Sequence, residues 1–213
     1  SIFIVRQGNP KGIKDWSDLV KPGVSVVVPN PKTSGNGRYT YLAAWGYALD
    51  TEKGEEKARD FVSKLFANVP VFDGGGRGAT TTFTQRDVGD VLVTFENEVA
   101  LLKTEFGDKF DVVYPTLSIE AAPPVAVNNI VTGKRGTAEL AKGYLDYLFS
   151  PEAQRIIAKH GFRPRDEAVL AEAKLPAIKT FKVPDLIGPW AETQKTHFAD
   201  GGIYDQITAT KSN

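Results

Sequence analysis

The fold is decided by a strand–loop–helix stretch with the sequence Val24-Ser-Val-Val-Val-Pro-Asn-Pro-Lys-Thr-Ser-Gly-Asn-Gly37, which continues into a helical pattern from Tyr39 to Leu49. The valine-rich run 24–28 is typical of a strand that is buried on both faces. The Pro- and Gly-rich segment 29–37 is not expected to form regular structure, and Ser34 within it is a good helix N-cap. This stretch therefore predicts a buried strand, a loop and a long helix.

The alternation of strand and helix patterns continues on both sides of this stretch. Short β-branched or aromatic runs predict strands, and longer runs with helical periodicity predict helices. Such alternation is typical of an α/β fold with mostly parallel strands. The further predicted strands are 2–5, 69–72, 91–95, 112–114 and 125–127, and the further predicted helices are 15–19, 52–67, 79–83, 96–105, 137–150, 151–160, 167–174 and 189–198.

The composition excludes several classes of protein and of site. With 213 residues the chain has room for one or two domains, and its formal net charge of zero argues against a nucleic-acid binder. The absence of cysteine excludes disulfides, thiolate catalysis and Cys-ligated zinc. No apolar run approaches the roughly 18 residues of a membrane-spanning helix. The start at Ser1, without a methionine or a leader, is interpreted as processing or truncation.

The sequence contains none of the common motifs of catalytic or metal sites. The patterns G-x-S-x-G and H-E-x-x-H and the P-loop are all absent. The two histidines, His160 and His197, lack metal-ligand spacing and are interpreted as structural. The sequence therefore predicts no catalytic residue, no metal ion and no cofactor.

Three strand-to-helix junctions are candidates for a binding site, because ligands of open α/β sheets bind at the carboxyl ends of the strands. The first junction, 33–37, has glycines and a helix start that suit an anion, although a plain capped helix is the alternative. The second, Gly74-Gly-Gly-Arg-Gly-Ala79, suits a compact anion, but it also matches the weak dinucleotide pattern G-x-G-x-x-G/A or a flexible loop. The third, Thr94-Phe-Glu-Asn-Glu98, carries no ligand signal by itself.

Several longer motifs resemble those of the bacterial periplasmic sulfate- and thiosulfate-binding proteins. They follow one another in the same order over essentially the whole chain. The motifs that carry the resemblance are 30–38, 41–46, 75–83, 89–92, 95–98, 122–127, 147–154 and 163–165.

The resemblance implies a fold of the type II periplasmic-binding-protein kind, with two lobes of mostly parallel sheets joined by two crossing segments. It implies a monomeric, periplasmic protein that binds thiosulfate or sulfate in the cleft between the lobes. The protein would deliver this anion to the membrane permease of an ABC transporter for sulfur uptake, and it would not be an enzyme.

The resemblance also implies how the lobes divide the chain. Members of the family begin about half a domain earlier, so that one lobe is expected to be incomplete here, without its N-terminal part. Residues 6–93 are expected to form a nearly complete lobe, and residues 94–213 the remainder of the other lobe with the C-terminal helices. Residues 1–5 and 93–97 are expected to be the crossing segments.

The binding residues implied by the resemblance are Ser34, Gly35 and Asn36 in the first junction and Gly76 in the second, each through a backbone N–H donor. At the position of Phe95 the sulfate-binding branch has a tryptophan, whose indole N–H donates to the anion. Phenylalanine has no such donor, and this sequence resembles the thiosulfate-binding branch more closely. Arg77 is expected to support its loop, and a direct contact with the anion is the less favoured alternative.

The chemistry of the anion leaves two alternatives open. Sulfate and thiosulfate carry no proton near pH 7 and can only accept hydrogen bonds, so that N–H and hydroxyl donors suit them. Phosphate carries a proton and would favour a carboxylate acceptor; because Asp73 and Glu96 flank the loops, a phosphate- or molybdate-type site is one alternative. The alternative of another class is an NAD-dependent enzyme that uses the turn Gly74–Ala79.

Overall fold

The computed structural model describes residues 1–209, which form an α/β fold, as predicted. The strands are β1 (Ile2–Arg6), β2 (Val26–Pro29), β3 (Phe72–Asp73), β4 (Val91–Thr94), β5 (Phe110–Val113), β6 (Ser118–Ile119) and β7 (Thr180–Phe181). The helices are α1 (Gly35–Glu52), α2 (Glu55–Ala67), α3 (Gly76–Thr84), α4 (Glu98–Phe106), α5 (Asn129–Arg135), α6 (Ala138–Tyr147), α7 (Pro151–Lys159), α8 (Glu167–Ala173), α9 (Val183–Leu186), α10 (Trp190–Thr193) and α11 (Ile203–Ala209). A 3₁₀ turn covers Trp16–Asp18 and a π-helical turn covers Gln194–Phe198.

Five strands form one mixed sheet in the order β3-β2-β4-β1-β5. Strand β2 is parallel to both β3 and β4, whereas β1 is antiparallel to β4 and β5. Strands β6 and β7 form a separate parallel pair. Three of these five pairings are parallel, which confirms the mostly parallel arrangement expected from the sequence.

The chain divides into two compact units, and unit 1 consists of Ser1–Ala121 and Ile178–Asn213. Its five-stranded sheet is buried on both faces, as the valine-rich runs predict, because successive side chains of a strand point to opposite faces. Helix α1 covers one face and helix α3 the other. The cluster on the α1 side includes Phe3, Val5, Val26, Val28, Val91, Val93 and Trp45, and the cluster on the α3 side includes Ile2, Ile4, Val27, Leu92, Ala79 and Phe83.

Unit 2 consists of Ala122–Ala177 and contains helices α5 to α8. Ser150 caps α7 by accepting a hydrogen bond from the Ala153 N–H at 3.2 Å, with Pro151 in the first turn as expected. The buried Gln154 side chain accepts from the Arg165 N–H at 2.6 Å and so fixes the chain after α7. Helix α6 has no buried residue.

The predicted lobe boundaries stay a prediction. The compact units group residues 94–121 and 178–213 with residues 1–93, whereas the resemblance implies a boundary between residues 93 and 94.

No helix in the described part of the chain is long and apolar enough to cross a membrane.

One predicted strand is wrong. Residues 125–127 form no strand, and the side chain of Val125 is 59% exposed. Pro123 and Pro124 precede this run, and proline has no N–H to donate to a sheet. The apolar run therefore belongs to an irregular segment that leads to α5.

Candidate functional site

The three candidate junctions lie at one end of the five-stranded sheet, where β2, β3 and β4 have their carboxyl ends. This end is called the junction edge. Strands β3, β2 and β4 are neighbours and run parallel, so that their carboxyl ends share this edge. The first loop (30–34) connects β2 to α1, the second loop (74–75) connects β3 to α3, and the third loop (95–97) connects β4 to α4. The predicted placement of the three junctions is therefore confirmed.

The first loop holds the start of α1 in a fixed geometry. The Ser34 N–H donates to the Asn30 carbonyl at 2.9 Å, and the Ser34 hydroxyl oxygen accepts from the Gly37 N–H at 3.3 Å. The Arg38 N–H donates to the Ser34 carbonyl at 3.0 Å. The N–H groups of Gly35 and Asn36 belong to the first helical turn and have no intrahelical acceptor. These two amides remain as donors for a ligand.

The Asn36 side chain connects all three junctions. It is buried, and its Nδ2 donates to the Thr94 hydroxyl at 3.1 Å, at the end of β4. A Cβ at Gly76, the first residue of α3, would lie only 3.1 Å from the same Nδ2 atom. The structure thus brings Asn36, Gly76 and the third junction together. Sequence reasoning missed Thr94, although a hydroxyl at the end of a buried valine strand was a possible signal.

The second loop leaves the start of α3 without a side-chain cap. The N-cap residue is Gly75, which has no side chain to accept from the first turn. The N–H groups of Gly76, Arg77 and Gly78 therefore lack an intrahelical acceptor. The Thr33 hydroxyl donates to the Gly74 carbonyl at 3.0 Å, which ties the second loop to the first. A helix start of this kind carries about half a positive charge.

The carboxylate of Asp73 lies at the end of β3, beside the second loop. Its Oδ1 accepts from the Thr82 hydroxyl at 3.0 Å, and a Cβ at Gly78 would approach the same side chain at 3.2 Å. Its Oδ2 is buried and has no hydrogen-bond partner among residues 1–209. The carboxylate therefore connects β3 to the body of α3.

The third loop differs from the other two. The Glu98 N–H donates to the Phe95 carbonyl and the Val99 N–H to the Glu96 carbonyl, both at 3.1 Å. These turn hydrogen bonds occupy first-turn donors of α4, so this junction offers fewer free amides. The Phe95 ring packs against Tyr39 at 5.9 Å between centroids, and Tyr39 packs in turn against Trp190 at 5.7 Å. The sequence analysis did not identify this aromatic cluster.

Arg77 bridges the second and third junctions. Its Nη1 lies 3.2 Å from the Glu98 Oε2, and its side chain is 70% exposed whereas that of Glu98 is only 14% exposed. The ion pair occupies part of the guanidinium with a protein carboxylate. A role in supporting the loop, rather than in direct contact with an anion, agrees with this geometry and stays a prediction.

His197 is a core residue of unit 1. Its ring is buried, its Nδ1 lies 2.9 Å from the Tyr41 hydroxyl, and its centroid is 4.6 Å from that of Trp45. Burial lowers the pKa of His197 to about 4, so that the imidazole is neutral at pH 7. No group of three or more potential metal ligands occurs within the part of the chain that the structure describes.

Comparison with known proteins adds information that the geometry alone does not contain. The sequence model of a family described as bacterial extracellular solute-binding protein matches residues 1–163. The chain is 57% identical over 210 residues to the thiosulfate-binding protein of Pseudomonas aeruginosa, covering 97% of this chain and 63% of that protein. It is 52% identical over 211 residues to the sulfate-binding protein of Escherichia coli, covering 97% of this chain and 64% of that protein.

A solved structure supports the same grouping. The sulfate-binding protein SubI from Mycobacterium tuberculosis superimposes with a TM-score of 0.74 and 32% sequence identity, over 93% of this chain and 68% of that chain. The expected fold of periplasmic binding proteins and the resemblance to sulfate- and thiosulfate-binding proteins are thereby confirmed. The chain spans a little under two thirds of the length of the two curated relatives.

Proposed function

The chain belongs to the family of bacterial extracellular solute-binding proteins, and from this premise we propose that it binds thiosulfate or sulfate at the edge formed by its three strand-to-helix junctions. The observation that carries the proposal is the convergence of Asn36, Gly76 and Thr94, which sets the starts of α1 and α3 side by side. The proposed ligands of the anion are the backbone N–H groups of Gly35, Asn36 and Gly76, with Phe95 beside it. The sequence resemblance also implied the Ser34 N–H, but this group donates to the Asn30 carbonyl, so Ser34 acts here as the cap of α1.

The donor set suits a small dianion. The free amides of the first turns of α1 and α3 can only donate, and a fully ionised oxyanion can only accept. Two helix starts contribute about one positive charge between them. Each hydrogen bond to a charged group contributes about 1.5–3 kcal/mol. About five such bonds, less the cost of association, would correspond to binding near the micromolar range.

The alternative of an NAD-dependent enzyme has less support. A dinucleotide-binding turn follows a strand in the middle of the parallel sheet, where the strand order reverses. Here the turn follows β3, a two-residue strand at the edge of the sheet, and opens the nine-residue helix α3. The thiosulfate- and sulfate-binding relatives further favour a binding protein over an enzyme.

A phosphate-type site also has less support. A selective phosphate site would need an acceptor for the proton of the ligand. At the second junction the Asp73 Oδ1 accepts from Thr82, so that the buried Oδ2 is the acceptor that this carboxylate retains. Glu98 at the third junction pairs with Arg77. The amide donors therefore outnumber the available acceptors at this edge.

The wider role that we propose is that of a solute receptor for an ABC importer. The protein would act in the periplasm as a monomer, would enclose the anion between two lobes, and would pass it to a membrane permease. The support for this proposal is membership of the solute-binding family and the names of its relatives. The same premise leaves no catalytic step for the protein to perform.

Isothermal titration of the chain with thiosulfate, sulfate, phosphate, molybdate and NAD tests the proposal directly. Binding of thiosulfate or sulfate, with at least tenfold weaker binding of phosphate and NAD, is the expected result. Gly76→Val is expected to lose most of this affinity, because its side chain would extend toward the Asn36 amide. Preferential binding of NAD, or no anion binding at all, would contradict the proposal.

A further inference from the structure

A lysine in the first loop contacts the C-terminal part of unit 1. Lys32 lies two residues before Ser34, and its side chain is only 26% exposed. Its Nζ donates to the carbonyls of Phe198 at 3.0 Å and Ala199 at 3.3 Å, and to the Asp205 Oδ2 at 2.9 Å. The loop that precedes α1 is thus connected to the end of the π-helical turn, to the residue after it and to α11.

The acceptors around Lys32 use its full donor capacity. A lysine ammonium has three N–H donors, and the three close acceptors are two carbonyls and one carboxylate. A fourth acceptor, Asp200 Oδ1, is at 3.5 Å and belongs to a fully exposed side chain. The hydrogen bond with Asp205 raises the pKa of Lys32, so that the ammonium stays charged at neutral pH. No donor of Lys32 remains for a bound anion.

Two further contacts join the same segments. The Tyr204 hydroxyl donates to the Asn30 Oδ1 at 3.3 Å, and the same oxygen accepts from the Lys32 N–H at 2.8 Å. Arg38, in the first turns of α1, donates to the Gln194 Oε1 at 3.1 Å and lies 5.5 Å from the Phe198 ring centroid. The first loop and the start of α1 are therefore held by contacts with residues 194–205. Within the loop, the hydrogen bond from the Ser34 N–H to the Asn30 carbonyl forms the turn that starts α1.

We propose that Lys32 is a positioning residue, which holds the first loop in its anion-binding conformation by clamping it to residues 198–205. The inference rests on the proposed function of the junctions, but it assigns to Lys32 no contact with the anion. The clamp fixes the turn in which the Asn30 carbonyl accepts from Ser34, and Ser34 then caps α1. Loss of the clamp should loosen the amides of Gly35 and Asn36 while the sheet remains intact.

The variant Lys32→Met removes the ammonium and keeps most of the apolar stem. We expect thiosulfate or sulfate affinity to fall by about tenfold or more, because at least one hydrogen bond to a charged ligand is weakened. Amide hydrogen exchange, measured without anion, should show exchange at Gly37 and Arg38 that is about tenfold faster, since both N–H groups depend on Ser34. Urea unfolding of each variant would define conditions in which all the variants are fully folded, and both measurements would be made there.

Lys64→Met is the matched control, because among residues 1–209 the Lys64 Nζ donates to a single exposed carboxylate, that of Asp60 on α2, at 2.6 Å. It should leave both the affinity and the exchange at Gly37 unchanged. Asp205→Asn should lower the anion affinity less than Lys32→Met does. The double variant should bind the anion no more weakly than Lys32→Met alone, because both changes remove the same clamp.

The outcomes separate this inference from the proposed function. Wild-type affinity and wild-type exchange in Lys32→Met would overturn the clamp and leave the proposed function standing. A chain that binds no anion would overturn the proposed function, and the anion-binding role of the clamp with it. Equal loss of affinity in Lys32→Met and Lys64→Met would also overturn the clamp, since it would show an effect of net charge alone.

Discussion

Substitution of Gly37 by alanine tests how the start of α1 is packed against the end of β2. A Cβ at this position would overlap the Pro29 carbonyl oxygen and would lie 2.8 Å from both the Asn30 carbonyl carbon and the Pro31 nitrogen. Carbon atoms in favourable contact are about 3.5–4.0 Å apart. All three neighbours are backbone atoms, which cannot rotate away as a side chain could.

Two opposing effects determine how much Gly37→Ala changes the free energy of unfolding. Overpacking costs about 1–3 kcal/mol, and we expect the upper part of this range because the Asn30 backbone is fixed by hydrogen bonds to Asp73 and Ser34. Alanine in a helix is favoured over glycine by about 1 kcal/mol. Gly37→Ala should therefore lower the free energy of unfolding by roughly 1–2 kcal/mol.

Gly35→Ala is the control for helix propensity, because a Cβ at Gly35 would meet no atom within 4 Å. Urea unfolding should place the midpoint of Gly37→Ala below that of the wild type, with an unchanged slope. The midpoint of Gly35→Ala should equal or exceed the wild-type value. Equal midpoints for the two variants would refute the close packing of the first turn of α1 on the first loop.

The remaining predictions concern the anion site and the buried histidine. Gly76→Ala should weaken anion binding several-fold without loss of stability, as measured by titration and urea unfolding, because its Cβ would disturb the Asn36 amide; unchanged affinity would contradict the contact. Phe95→Trp should shift the ratio of sulfate to thiosulfate affinity by about tenfold toward sulfate, because it adds an N–H donor; competition titration would measure the ratio, and an unchanged ratio would refute the reasoning. Burial lowers the pKa of His197 to about 4, so that as the pH falls below about 6.5 this histidine is protonated in the unfolded state before it is protonated in the folded state. The free energy of unfolding should therefore drop by at most about 1.4 kcal/mol per pH unit until about pH 4. His197→Gln should remove this part of the pH dependence of the urea midpoint and His160→Gln should not; identical profiles for the two variants would contradict the assignment.

The start of α1 shows what a local pattern can and cannot predict. The sequence predicts a helix from Tyr39, but the helix begins at Gly35. The glycines in this segment disfavour a helix by propensity, yet the cap at Ser34 and the backbone contact at Gly37 stabilise the first turn. Tertiary packing therefore decides the boundary, and the two candidate N–H donors lie inside the helix rather than in a loop.

The antiparallel direction of β1 and the pair formed by β6 and β7 were not predictable from the sequence. An apolar strand has the same composition in either direction, and two-residue strands are too short for a periodic pattern. The strand predicted at 125–127 is wrong for a different reason. Its residues have the composition of a strand, but they follow two prolines, which cannot donate hydrogen bonds to a sheet.

The candidate site was partly predictable, because ligand-binding turns have a local signature and their supporting contacts do not. Ser34, Asn36 and Gly76 follow strands and precede helices, so that the edge of a parallel sheet unites them. Thr94 and Lys32 were missed. The partners of Lys32 lie more than 160 positions further along the chain, beyond the reach of any pattern in its neighbourhood.

The interior position of β1, between β4 and β5, has a consequence for the newly synthesised chain. Residues 2–5 pair with residues 91–94, and residues 3–6 pair with residues 110–113, so that both partner strands come much later in the chain. At about 5–20 residues per second, the apolar segment Ile2–Val5 waits on the order of 5–20 seconds before its partner strands have been synthesised. Such a high contact order also slows folding after synthesis. During this interval the segment is a natural binding site for a chaperone and, without one, a starting point for aggregation.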